Sequence, residues 1–247
     1  MIPVGTIKSL HRYPVKSMAG EDLASAELGW HGIEGDRRYS FIRKGDLSGF
    51  PWLTASKLRD LILYKATFLD GETSLQVKTP EGTVFDLKSP ELLQRLTDAY
   101  GGGVELVRVS NGIFDDSPVS VISTATVSML ERETGRPIDV RRFRSNIVVE
   151  SLPGYSPQEE SWVGNTLVIG DAADAPAVRV TIHDVRCVMV NLDPDTAVAD
   201  PIVLKTIART RKNCAGVYGS TFRAGTIAVG DCVYVNEHDR HFVSMSL

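Results

Sequence analysis

Cys187 is the residue in this sequence best able to do metal chemistry. It follows the apolar run 177–182 in His183-Asp184-Val185-Arg186-Cys187, so it falls at a strand end beside a guanidinium. A neighbouring cation favours the thiolate, and a soft thiolate suits a soft, redox-active metal. The competing reading is a small apolar side chain in a reduced core. Cys214, in Lys212-Asn213-Cys214-Ala215-Gly216, belongs either to a loop over a pocket or to a turn into a strand.

Four further fragments carry groups that hold anions. Tyr13-Pro14-Val15-Lys16-Ser17 ends a first strand with an ammonium beside a hydroxyl, and Gly35-Asp36-Arg37-Arg38 opens another after a turn. A guanidinium grips phosphate with two parallel bonds, whereas an ammonium acts as a point charge. Ser123-Thr124-Ala125-Thr126 lies where a strand turns into a helix; with Ser123 as N-cap, free N–H groups and the helix dipole make an anion site. An ordinary capped helix would look the same. Arg142-Phe143-Arg144-Ser145-Asn146 sets Arg144 and Asn146 two apart at a strand start, which predicts one shared face.

Elements must position these groups, and the pattern is mainly that of short strands. Alternating apolar positions separated by Gly, Pro, Asp and Asn predict strands at 2–10, 22–29, 37–43, 61–69, 74–79 and 83–87. The second half predicts them at 103–109, 118–122, 145–150, 165–169, 177–183, 216–223 and 232–235. Helices are predicted at 90–100 after Ser89-Pro90, at 124–134 between Ser123 and Gly135, and at 201–210 after Asp200-Pro201. Strands in both halves without regular strand–helix alternation argue for a mainly β (α+β) fold of two β-barrel-like units with a few covering helices. The aperiodic stretch 110–117 divides it into 1–109 and 110–247.

The whole chain narrows the function classes. Its 247 residues carry a net charge of −4, so general affinity for nucleic acid or anionic membrane is not expected. No apolar run approaches the ~20 residues of a membrane span. Three cysteines without disulfide or zinc-site spacing fit a reducing cytoplasm. Basic stretches at 1–20, 136–149 and 205–212 stand out from the acidic background, either gathered around a small anion or solvated separately. No dinucleotide-binding, P-loop, zinc-protease or serine-hydrolase motif is present. His238 and His241 have the closest histidine spacing, in a polar tail that reads as disordered.

In order and spacing, these fragments together resemble the MOSC family, with its N-terminal β-barrel partner domain, and most nearly the amidoxime-reducing component type. Asp193-Pro194-Asp195-Thr196 and the segment from Gly225-Thr226-Ile227 to Val229-Gly230-Asp231 complete the likeness. The resemblance implies a molybdenum cofactor (molybdenum–molybdopterin), with Cys187 as the catalytic metal ligand. It implies Lys16, Ser17, Arg37, Ser123, Thr126, Arg144 and Asn146 as cofactor contacts, with Arg186 supporting the ligand loop. The implied activity is a molybdenum-dependent oxidoreductase that reduces N-hydroxylated small molecules. Its electrons would come from a separate flavin, haem or iron–sulfur protein. The alternative is a cofactor carrier or sulfur-transfer module with sulfur on Cys187; a barrel that has lost its cofactor is a third reading. Val188-Met189-Val190-Asn191 replaces the threonine-rich run expected after the cysteine.

Overall fold

Apolar residues two apart face one side of a strand, and five such pairs build the main core. Val119 with Val121, Ile147 with Val149, Leu167 with Ile169, Val178 with Val180 and Val233 with Val235 are all buried in one cluster with Ile7 and Leu10. The computed structural model describes residues 1–69, 74–154 and 159–237. His238 and His241 lie outside the described residues.

The first half runs β1 (Ile2–Arg12), β2 (Glu21–Leu23), β3 (Ser25–Gly29), β4 (Gly32–Ile33), β5 (Tyr39–Arg43), β6 (Lys65–Phe68), β7 (Leu75–Lys78), β8 (Val84–Asp86), α1 (Pro90–Tyr100) and β9 (Val104–Arg108). The second runs β10 (Val119–Ser123), α2 (Thr124–Thr134), β11 (Ile147–Ser151), β12 (Thr166–Ile169), β13 (Ala177–Val185), α3 (Ile202–Arg211), β14 (Cys214–Arg223), β15 (Gly225–Ala228) and β16 (Cys232–Asn236). Among the described residues the protein is mainly β with three α-helices. Ser89 and Ser123 cap α1 and α2 through their hydroxyls, and Gly101 and Gly135 end them in the left-handed conformation.

Seven strands close into a barrel in the order β11-β10-β14-β13-β12-β16-β1, with β1 pairing back onto β11. Within this ring, among the described residues, only β10 and β11 run parallel. The closing strand comes from the N-terminus, so the first half supplies a stave of the second half's barrel. Gly5 marks a close approach of β1 to β11: a Cβ there would collide with the Glu150 carbonyl oxygen. Helices α2 and α3 cover the barrel's outside, packing Val127, Leu130, Val203 and Ile207 over Ile122 and Val148.

The sheet β15-β3-β4 packs Ala26, Leu28, Ile33 and Ile227 against the barrel core, while the remaining first half packs the sheets β5-β9 and β6-β7-β8 with α1. Its core of Phe41, Leu53, Leu61, Leu92 and Leu96 also takes in Leu192 and Ala197 from beyond β13. The two halves therefore interlock. Two expected strands differ. Residues Arg59–Leu63 form a 3-10 turn because neighbours Leu61 and Ile62 are both buried, which no alternating strand allows. The run 22–29 splits, β2 pairing with β1 while β3 pairs with β15 and β4.

Candidate functional site

Where the halves interlock, the barrel mouth opens on a cavity of about 280 Å³. Lys16, Ser17, Arg37, Arg144, Arg186 and Cys187 line it. Six of the nine residues singled out in the sequence are thus brought together. With Arg142 the lining carries five cationic side chains against the two carboxylates of Asp115 and Asp184.

The backbone bends sharply to deliver three of these groups. Ser17, Arg37 and Arg144 have φ of 67°, 50° and 53°, a left-handed conformation that L-residues with a Cβ adopt at a cost. Such strain gathers at sites where geometry matters more than local stability. For Arg144 it also corrects an expectation: the residue stands outside β11 and shares no strand face with Asn146.

Each cation has its own support. Arg37 Nη1 donates to Asp36 Oδ2 at 2.5 Å, and Nη2 donates to the Arg144 carbonyl at 2.8 Å. Burial works against its charge, and Asp36 outweighs burial, so its pKa is pushed up. Arg37 and Arg144 both stack on Tyr13, 4.9 and 4.4 Å from the ring centre. Lys16 Nζ donates to Asp115 Oδ1 at 2.6 Å and to the Ile113 carbonyl at 3.3 Å. Burial lowers the Lys16 pKa in spite of Asp115. Burial raises the Asp115 carboxyl, but Lys16, Arg37 and Arg144 overcome this and hold it below the usual range.

Arg144 is the cation left wanting. Its Nη2 is buried with no hydrogen-bond partner among the described residues, and burial lowers its pKa to about 10. An unpaired buried guanidinium nitrogen costs free energy that an anionic ligand would recover.

Arg186 braces the cysteine loop. Its Nε donates to the Ala215 carbonyl at 2.6 Å and Nη1 to the Phe143 carbonyl at 2.7 Å, tying β14 to the Arg144 turn. Its Nη2 lies 2.8 Å from Asp184 Oδ2 without hydrogen-bond alignment. Asp184 also accepts from Ser120 Oγ at 3.0 Å. Burial pushes the Asp184 carboxyl up to about 6, since Arg186 and Ser120 offset it only in part. Cys187 follows β13 and is exposed on the cavity wall. Cys214, paired in register with Val185, does not line the cavity, and burial raises its thiol.

Three expected cofactor contacts lie elsewhere. Asn146 is fully buried behind Arg37, its Oδ1 accepting from Arg37 Nη1 at 3.4 Å and from the Ser120 N–H at 3.1 Å. It positions rather than lines. Ser123 and Thr126 are closed off at the start of α2, where the protein's own Glu159 takes the anion's place. Ser123 Oγ donates to Glu159 Oε2 at 2.7 Å and the Ser123 N–H to Oε1 at 3.2 Å. The sequence reading missed Asp115, Asp184, Tyr13 and Tyr218 as site residues. Asp115 sat in the aperiodic stretch taken for a boundary, and alternation in β14 was the one signal for Tyr218.

Among the described residues no group of three or more His, Cys, Asp and Glu could hold a metal ion. Cys187 supplies the one thiol of the cavity lining, so a metal there must bring most of its other ligands with it. A metal carried by an anionic organic cofactor fits this donor set: one thiol, and cations in excess including an unpartnered Arg144 nitrogen.

Comparison with known proteins agrees on the class. Residues 107–234 match the MOSC domain and residues 4–101 match the MOSC N-terminal beta barrel domain; the chain belongs to the MOSC family. It is 24% identical to mitochondrial amidoxime reducing component 2 of Bos taurus, over 94% of this chain and 83% of that protein. It is 26% identical to the molybdenum cofactor sulfurase of Caenorhabditis briggsae, over 96% of this chain but only 36% of that larger protein. The crystal structure of the YuaD protein from Bacillus subtilis shares the fold, with a TM-score of 0.51 at 15% identity, covering 94% of this chain and 95% of that one. No helix among the described residues is long and apolar enough to cross a membrane.

Proposed function

We propose that the protein binds molybdenum–molybdopterin and reduces N-hydroxylated compounds such as amidoximes and hydroxylamines, taking electrons from a separate flavin, haem or iron–sulfur protein in the cytoplasm. The observation that carries this reading is the exposed Cys187 thiol sharing one cavity with Lys16, Arg37 and Arg144. The bound group would supply two-electron chemistry: an amidoxime, two electrons and two protons give an amidine and water. Lys16, Ser17, Arg37 and Arg144 would hold its phosphate and pterin, and Cys187 its metal. Asp36 and Asn146 fix the Arg37 fork, and Arg186 holds the Cys187 and Arg144 turns at a set distance. Asp184 and Tyr218 are the cavity's proton-bearing groups, both held toward their neutral forms by burial.

Molybdenum-loaded protein given an artificial reductant should convert an amidoxime to the amidine. Absence of turnover in a metal-loaded sample rejects the reading. Cys187→Ala should lose molybdenum while Cys214→Ala keeps it; the reverse pattern would reassign the ligand. The likeness to sulfurases over 96% of this chain favours a second reading, in which Cys187 carries sulfur to an acceptor enzyme. That reading expects Cys187 to gain the mass of one sulfur atom, lost on reduction with a thiol.

A further inference from the structure

We infer that the mouth of this cavity seats a hydrocarbon body, so that the compounds it selects carry an apolar chain behind a small N-hydroxylated head. The inference deepens the reductase reading and rests on it for the head group. The cavity interior is charged, and part of its rim, away from the exposed Asp115, is apolar. Phe50, Val185 and Val188 line the cavity and are 52%, 62% and 53% exposed. Leu47, in the same loop as Phe50, is 99% exposed. Single exposed apolar residues are ordinary, but several around one concave site mark a place where apolar surface is covered.

The rim is also prepared in advance. Arg43 Nη2 donates to the Phe50 carbonyl at 2.6 Å, and Arg43 is itself paired with Asp46 at 2.5 Å. The Phe50 loop is therefore tied back to β5. Val185 and Val188 flank Arg186-Cys187, which the Arg186 bonds to Ala215 and Phe143 hold in place. Val188 begins the stretch where threonines were expected, so the hydrocarbon character belongs to this chain's own sequence. Continuity of the three side chains with the cavity points to the outer part of a small molecule as the occupant. A head bearing an N–OH needs a donor and an acceptor, and Asp184 and Tyr218 offer both inside.

Two ligands separate the rim from the head: hexanamidoxime and acetamidoxime share the head and differ by four methylenes. Their affinities for cofactor-loaded protein, measured by calorimetry without reductant, should differ about tenfold in favour of the longer compound, the effect of burying roughly two methylenes. Phe50→Ser combined with Val188→Ser should bring the two within about twofold, and these exposed positions should leave the melting temperature unchanged. Equal affinities in the unaltered protein, or a preference that survives both substitutions, overturn the inference. Slower reduction by a donor protein with the affinity ratio intact would also overturn it, assigning the rim to that partner. Failure to reduce either compound while the ratio holds would leave the rim assignment standing and remove the reductase reading.

Discussion

Asp184 sets the pH behaviour of the site. Its carboxyl titrates at about 6 in the fold, against about 3.9 in an unfolded chain. The raised value means that the neutral form is favoured in the native state. Its contribution to stability is complete below pH ~4 and is lost as pH rises through ~6, on the order of 2–3 kcal/mol. Asp184→Asn should therefore gain stability relative to the unaltered protein between pH 4 and pH 7, measured by urea unfolding. A difference that does not change with pH would mean that Arg186 keeps the carboxylate ionised. This behaviour was not legible in the sequence, because it arises from burial between β13, β10 and the Arg186 fork. By contrast, Lys16, Arg37 and Cys187 were legible, since a cation or thiol at the end of an apolar run is delivered to the rim of a sheet.

At the scale of elements, caps and breakers announced all three helices, and alternation announced most strands. The α2 N-terminus, expected as a cofactor contact, is instead engaged from within the chain. The physics was right and the occupant was not: a carboxylate does sit there, but it belongs to Glu159, which lies 36 residues further along the chain from Ser123. No local pattern reveals such a partner. Ser123→Ala removes a cap and leaves a buried carboxylate short of one donor, at a cost of about 2–4 kcal/mol. Molybdenum content, scaled to folded protein, should stay unchanged. A selective loss of metal from soluble Ser123→Ala would return that hydroxyl to the cofactor. The Arg144 turn differs in another way: its left-handed φ closes the short 3-10 turn Val140–Phe143, with the Arg144 N–H donating to the Arg141 carbonyl. Arg37 and Arg186 bond the Arg144 and Phe143 carbonyls from other parts of the chain, while its sequence still looks like a strand start.

For the whole molecule, the sequence suggested two units in tandem, and the folded chain exchanges pieces between them. β1 completes the seven-stranded ring, and Leu192 from the second half is buried in the first half's core. Such exchange predicts one cooperative unfolding transition by calorimetry. Leu192→Ala should lower it as a unit, by about 2–5 kcal/mol, and two separate heat-absorption peaks would refute the coupling. The left-handed turn at Ser17 has an evolutionary consequence. Glycine would sit there more comfortably, and Ser17→Gly should raise stability by roughly 0.5–1 kcal/mol after its greater unfolded-chain freedom is counted. A laboratory selection for heat resistance alone would drift toward glycine and discard the hydroxyl, so retention of serine under selection for activity would register what that oxygen is for.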